Sequence, residues 1–244
     1  MKPGLVAALF LACLLVACES AGDYGPVLGG IITAPTGTTS GPLTAADIDA
    51  GLREALVVGT GNVASRLGRE NGYFGDARIR IPLPDTYRKL QTNLARIGAS
   101  GPLDDVELRL NRASEAAVPE ARVLILGAVR SMTIEDALGI LRGGDTAATD
   151  FLRARTQTQL EAAFAPHVRT ALAESGAFTA LENFAGSAGL GGATSGLQAD
   201  LTPHAVRLGL DGIFLYVAEE EKNIRENPLA RTTDLLRKVF GAGV

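Results

Sequence analysis

Tryptophan is absent from this chain, and histidine, cysteine and methionine occur twice each in 244 residues. Aromatic residues make up only 5% of the sequence, and the formal charge is −4. Each shortage removes a class of chemistry. Few aromatics on an acidic chain leave neither a stacking platform nor a cationic face for phosphates, so nucleic acid is not an expected partner. His167 and His204 stand apart, outside the Glu-x-x-His and His-Glu-x-x-His spacings of metal sites in helical bundles. No metal and no cofactor is expected, and both histidines read as surface or helix-end residues. No Gly-x-Ser-x-Gly elbow is present to expose a nucleophilic serine, and no phosphate-binding loop ends in Lys-Ser/Thr. A polybasic patch for anionic lipids is also missing.

Both cysteines, Cys13 and Cys18, fall in the N-terminal stretch. Lys2 gives a basic start, and Leu5 to Val16 is an apolar run too short to span a bilayer. That is a secretory leader, and its end, Leu15-Val16-Ala17-Cys18, resembles the lipobox of bacterial lipoproteins. Residues 1–17 are therefore expected to be a signal peptide and Cys18 the lipidated first residue of the mature chain. An acylated Cys18 leaves no thiol for catalysis or a disulfide. Loss of Lys2 with the leader moves the formal charge from −4 to −5. The expected address is the periplasmic face of a bacterial membrane, with the lipid as the membrane contact. Glu19, rather than Asp, follows the cysteine and favours the outer membrane by resemblance to lipoprotein sorting signals. Residues 18–42, rich in Gly, Pro, Thr and Ser, read as a flexible tether.

Residues 43–244 are expected to form a single all-α domain, a bundle-like packing of several helices. Apolar residues recur at three-four spacing almost throughout. Thr44 with Asp47 and Thr133 with Asp136 resemble capping boxes. Gly59 and Gly61 weaken the first helix or admit a close neighbour. Arg78-Ile79-Arg80-Ile81 alternates, but Pro82 and Pro84 forbid a central strand. It reads as a crossover with isoleucines inward and solvated arginines outward, a reading preferred to an anion site at Arg78 and Arg80. Pro119 is expected to start or kink a segment whose run Val123 to Leu126 is buried, and Pro166 to break the helix containing Phe151 and Phe164. Gly143-Gly144-Asp145-Thr146 reads as a turn with an Asp or Thr cap rather than an anion site. The Gly-rich stretch from Gly186 to Gly196 reads as a mobile loop.

The stretch from Pro203 to Phe240 is expected to organise the domain, with Val206 to Val217 at the centre of the bundle. Thr202 would cap and Pro203 would open a long helix, with Val206, Leu210, Ile213, Val217 and Ile224 on one stripe. Leu208 and Leu215 point the other way, which calls for neighbours on both sides and a place inside the bundle. Asn227-Pro228 ends that helix and starts a closing one. Glu220 and Glu221 flank the stripe, whereas Glu219 and Lys222 face away. A carboxylate beside an apolar stripe needs a partner, and Arg225 and Arg231 are the candidates. The preferred reading of Glu220, Glu221, Arg225 and Arg231 is a clamp on the last helix. The functional reading is a raised-pKa acid or one end of a ligand site.

Several stretches together resemble a bacterial family of periplasmic lipoproteins, the domain of unknown function DUF4197. They are Arg80 to Pro84, Asn111 to Ala113 with Glu115, Met132 to Ala137, Gly144 to Thr149, and Ala218 to Lys222 with Ile224-Arg225 and Ala230 to Leu236. The resemblance transfers no activity and no catalytic residue. The leading expectation is a lipid-anchored binding or scaffolding module with an envelope protein or small molecule as partner. The alternatives are a carboxylate-dependent enzyme or small-molecule-binding protein with its site near Glu220, and a purely structural envelope protein.

Overall fold

A computed structural model of the chain describes residues 43–176, 179, 197–227, 231 and 233–241, with side chains of 197–200 excepted. The leader, Cys18, the tether and the stretch from Gly186 to Gly196 lie outside the described residues. Seven helices are described: α1 (Ala45–Leu67), α2 (Asp85–Ala95), α3 (Gly101–Arg130), α4 (Ile134–Arg142), α5 (Ala147–Glu174), α6 (Leu197–Glu226) and α7 (Asp234–Gly241). No strand occurs among the described residues, and no helix among them is long and apolar enough to cross a membrane.

Local chemistry sets several of the boundaries. The Thr44 hydroxyl accepts from the Asp47 N–H at 3.1 Å while the Asp47 carboxylate accepts from the Thr44 N–H at 3.0 Å. Thr133 and Asp136 repeat the arrangement at 3.1 and 2.9 Å. Each box satisfies donors that a helix start leaves open. At the other end of α3, the Arg53 guanidinium donates to the carbonyls of Val129 at 2.6 Å and Arg130 at 3.0 Å, and to that of Met132.

Three prolines lie within helices: Pro166 does not break its helix and Pro203 does not open one, while Pro119 does not start a new segment. Pro119, Pro166 and Pro203 sit inside α3, α5 and α6. A proline in a helix interior costs about 3 kcal/mol through its missing donor and its clash with the preceding turn. Burial on either side outweighs that cost: Ala117, Val118 and Ala121 around Pro119, Phe164 and Val168 around Pro166, Leu201 and Ala205 around Pro203. Thr202 and Pro203 therefore do not open α6, which starts at Leu197.

The core gathers α1, α3 and α5 around the apolar stripe of α6, where Val206, Leu210, Ile213, Phe214 and Val217 are buried. On the opposite side of α6, Leu208 is half-buried and packs against the main core, whereas Leu215 is 40% exposed. The run from Val123 to Leu126 is also only partly inside, because Ile125 and Leu126 face the core while helical rotation leaves Val123 65% exposed.

Residues 69–84 cross this core without regular structure. Tyr73, Ile79, Ile81 and Leu83 are buried, and Arg78 and Arg80 point out. The buried backbone here needs partners. Asn111 supplies them at Ile81: its side-chain oxygen accepts from the Ile81 N–H and its amide donates to the Ile81 carbonyl, both at 2.9 Å. The Tyr73 hydroxyl donates to the Gly209 carbonyl of α6 at 2.7 Å. The same α6 face carries Gly212, where a Cβ would lie 2.9 Å from the Tyr73 ring and 3.2 Å from Ile79. Glycine is required there for close approach.

Candidate functional site

The four residues singled out near the end of α6 go to three different places. Glu221 is 5% exposed in its side chain and reaches the start of α5. Its carboxylate accepts from the Ala148 N–H at 2.9 Å, the Thr149 N–H at 2.9 Å and the Thr149 hydroxyl at 2.8 Å. Arg225, one turn on, donates to the same carboxylate at 2.9 and 3.2 Å, and to the Ile140 carbonyl near the end of α4 at 2.9 Å. One ion pair thus ties the end of α4 and the start of α5 to α6. The carboxylate also sits where the α5 dipole is positive.

This arrangement replaces the cap expected from the Gly143–Thr146 turn. Thr146 makes no side-chain cap bond; its hydroxyl donates instead to Asp150 at 3.1 Å. The open donors of α5 are satisfied by Glu221 from across the sequence. The anion at this helix start is the chain's own.

Glu220 is half-buried and turns toward α1, where its carboxylate accepts from the Asn62 amide at 3.1 Å. Arg231 does not join either glutamate. It donates to the Ile224 carbonyl at 3.1 Å and the Arg225 carbonyl at 2.7 Å, closing the α6 C-terminus. Glu219, expected to face away, pairs with Arg78 at 2.5 Å. A cavity beside Glu220, walled by Leu52, Leu56, Val217, Ile224 and Phe240, has a volume of about 20 Å³. That is room for about one water and well short of a metabolite.

Two further polar clusters were not visible as sites in the sequence. Glu115, buried on α3, accepts from the Tyr73 and Phe74 N–H groups at 3.0 and 3.2 Å and from Arg112 at 2.7 Å. Its only sequence signal was its place in the Asn111 to Glu115 stretch. Burial, with the nearby Glu115 carboxylate, pushes the Tyr73 phenol far above its ordinary value. At the edge of the core, the hydroxyl of the buried Tyr216 donates to Asp76 and accepts from Arg78. Arg66 and Arg78 lie over the Tyr216 ring at 4.1 and 4.8 Å. The Tyr216 hydrogen bond, foremost, holds Asp76 below the usual carboxylate range. Burial and the same bond push Tyr216 up. Arg78 is thus engaged with Glu219, Tyr216 and Asp76, and Arg80 pairs with Glu107 at 2.8 Å and stacks on Phe74 at 4.0 Å. Both arginines stay exposed, as expected, and their ion pairs also anchor the crossover.

His167 meets Glu120 at 3.0 Å in an open groove of about 700 Å³ between α3 and α5, and His204 meets the Pro82 carbonyl at 2.8 Å. Among the described residues, no group of three or more His, Cys, Asp or Glu side chains could hold a metal ion.

Every buried side-chain nitrogen or oxygen among the described residues has a hydrogen-bond partner within the chain. The clusters are therefore internal joints. No curated protein and no solved structure matches the chain. Residues 42–241 match the model of a family described as a protein of unknown function (DUF4197), and the chain belongs to that family.

Proposed function

We propose that the chain is a lipid-anchored periplasmic module that binds or scaffolds an envelope protein, held on the membrane by acylated Cys18. The membrane is the outer one, on the strength of Glu19. The observation that carries the binding or scaffolding reading is the engagement of Glu221. Its two oxygens accept five hydrogen bonds from the chain itself, which leaves no lone pair poised for a substrate proton. That takes Glu221 from the carboxylate-dependent enzyme, whose site was expected near Glu220, and Glu220 itself meets only the Asn62 amide among the hydrogen bonds of the described residues. The small-molecule reading near Glu220 is disfavoured by the size of the adjoining cavity, about 20 Å³. A macromolecular partner meeting the outer surface needs neither.

Cross-linking in intact envelopes, followed by identification of the captured chains, tests this reading. One reproducible protein partner, lost on Cys18→Ala, is the expected result. Acyl labelling unchanged by Cys18→Ala would overturn the anchor. Capture of no specific partner would leave the purely structural role as the better account.

A further inference from the structure

Helix α2 lies on the outside of the domain, against α3. Tyr87, Leu90 and Leu94 make its inner face and pack on the main core. Its outer face is cationic. Arg88, Lys89, Thr92 and Arg96 fall within an arc of about 100° at about 100° per residue, Arg96 being still helical in conformation at the C-cap. All four are exposed. No basic run announces this face in the sequence, because helical rotation gathers cations spread from Arg88 to Arg96.

Two of these charges are open. Arg88 pairs with the exposed Asp85 at 2.6 Å, but Lys89 and Arg96 have no hydrogen-bond or ion-pair partner among the described residues. Asp104 and Glu107 of α3 reach α2 only on its Gln91 side, and both are engaged there. Asp104 accepts from Gln91 at 2.7 Å and from Ser100 at 2.8 Å; Glu107 accepts from Gln91 at 3.1 Å and from Arg80 at 2.8 Å. The face thus sets three cations against one acid, on a chain whose formal charge is −4. Arg88, Lys89, Thr92 and Asn93 line an open concavity of about 270 Å³. Next to Arg96, Ile97 is 71% exposed, the most open of the large apolar residues described. Gly98, at φ 72°, turns the chain away immediately after it.

Cations without partners call for an anion. An exposed apolar residue beside them calls for a layer that is apolar beneath its charge. A bilayer surface containing anionic phospholipid supplies both, whereas free phosphate supplies only the first. We propose that the outer face of α2 docks on the membrane surface, with Arg88, Lys89 and Arg96 on the phosphates of anionic lipids and Ile97 at the acyl boundary. Three cations are too few to hold a protein on a bilayer unaided. The face is a second contact that orients a domain already tethered, so the proposal rests on the Cys18 anchor.

The absence of tryptophan provides the test. Ile97→Trp, at an exposed position, gives the full-length chain a single indole at the point of contact. The protein purified from envelopes is reconstituted with vesicles of phosphatidylcholine, with or without phosphatidylglycerol. Vesicle flotation reads the anchor, and indole emission reads α2. The expected result is emission at shorter wavelength in the anionic vesicles only, reversed by salt and quenched by brominated acyl chains. Adding Lys89→Gln and Arg96→Gln should lower the ratio of shifted to unshifted emission about tenfold or more. Arg169→Gln, at an exposed arginine of α5, should leave it intact. Chains that float with both vesicles while the emission stays put overturn the proposal and spare the anchor. Failure to float with the neutral vesicles overturns the anchor instead, and the emission in anionic vesicles still decides the α2 contact. An equal loss in Arg169→Gln overturns the proposal as well. So does a shift produced by soluble polyglutamate and by neither vesicle, which would assign the face to an acidic protein.

Discussion

The Glu221 carboxylate accepts a hydrogen bond from the Ala148 N–H at 2.9 Å across 73 residues of sequence. It stands where a capping side chain would stand, and it binds Arg225 as well. Glu221→Ala leaves two backbone donors unpaired and Arg225 with the Ile140 carbonyl but no carboxylate, at a cost of about 3–5 kcal/mol. Glu221→Gln keeps one acceptor and costs about 1–3 kcal/mol. Chemical denaturation reads both, and hydrogen exchange should show the loss first at Ala148 and Thr149. Glu220→Gln, made beside it, should stay within about 0.5 kcal/mol, because its carboxylate is only half-buried and meets a surface amide.

Acid should weaken the fold through named carboxylates. Lys238, with help from Thr44, holds Asp47 down to about 2 from an ordinary 3.8. Its folded value lies below its unfolded one, so the stabilisation is complete above the ordinary value and is lost as pH falls through about 2. Asp76 and Asp136 are lowered too, by Tyr216 and Thr133 first, and act in the same direction. A titration followed by carboxyl chemical shifts should find the Asp47 midpoint displaced downward, and Lys238→Ala should raise it part of the way, since the Thr44 bonds remain.

At the alkaline end the sign reverses. Tyr216 is pushed above its ordinary 10.0, so its contribution is whole below pH 10 and is lost as pH rises through the folded value. Tyr216→Phe removes the hydroxyl between Asp76 and Arg78. The expected cost is about 1 kcal/mol, with a rise in the Asp76 titration midpoint. An Asp76 midpoint that stays put would mean the hydrogen bond is not what lowers it.

Gly212→Ala places a methyl 2.9 Å from the Tyr73 ring. Tyr73 is fully buried and its hydroxyl is tied to the Gly209 carbonyl, so overpacking should cost about 1–3 kcal/mol. That corresponds to roughly 2–4 °C of thermal midpoint per kcal/mol in a domain of this size. If Tyr73→Phe, which removes only the bond to Gly209, proves the more damaging change, the hydrogen bond rather than the packing holds the crossover.

Much of this architecture is legible locally. The capping boxes at Thr44 and Thr133 involve residues three apart, and the stripe from Val206 to Val217 is a matter of period. The prolines at 166 and 203 mislead for a definite reason. A proline's cost is local, whereas the burial that offsets it comes from helices elsewhere in the chain. Glu221 could be placed beside an apolar stripe, but its donors at Ala148 and Thr149 belong to a helix whose position no local pattern specifies. Leu215 shows the converse error: an apolar residue on the far face was read as a demand for a neighbour, and solvent covers much of it.

The pairing of Asn111 with Ile81 divides freedom unequally between the two positions. Ile81 takes part through its main chain, so any apolar residue of similar volume could hold its place as sequences drift. Position 111 has no such latitude. Its side chain must offer a donor and an acceptor from one carbon, and its amide also donates to the Glu107 carbonyl at 2.8 Å. Aspartate lacks the donor, leucine lacks both, and glutamine reaches one methylene too far. Over long divergence the crossover should therefore vary in the residue that is held and keep the one that holds it.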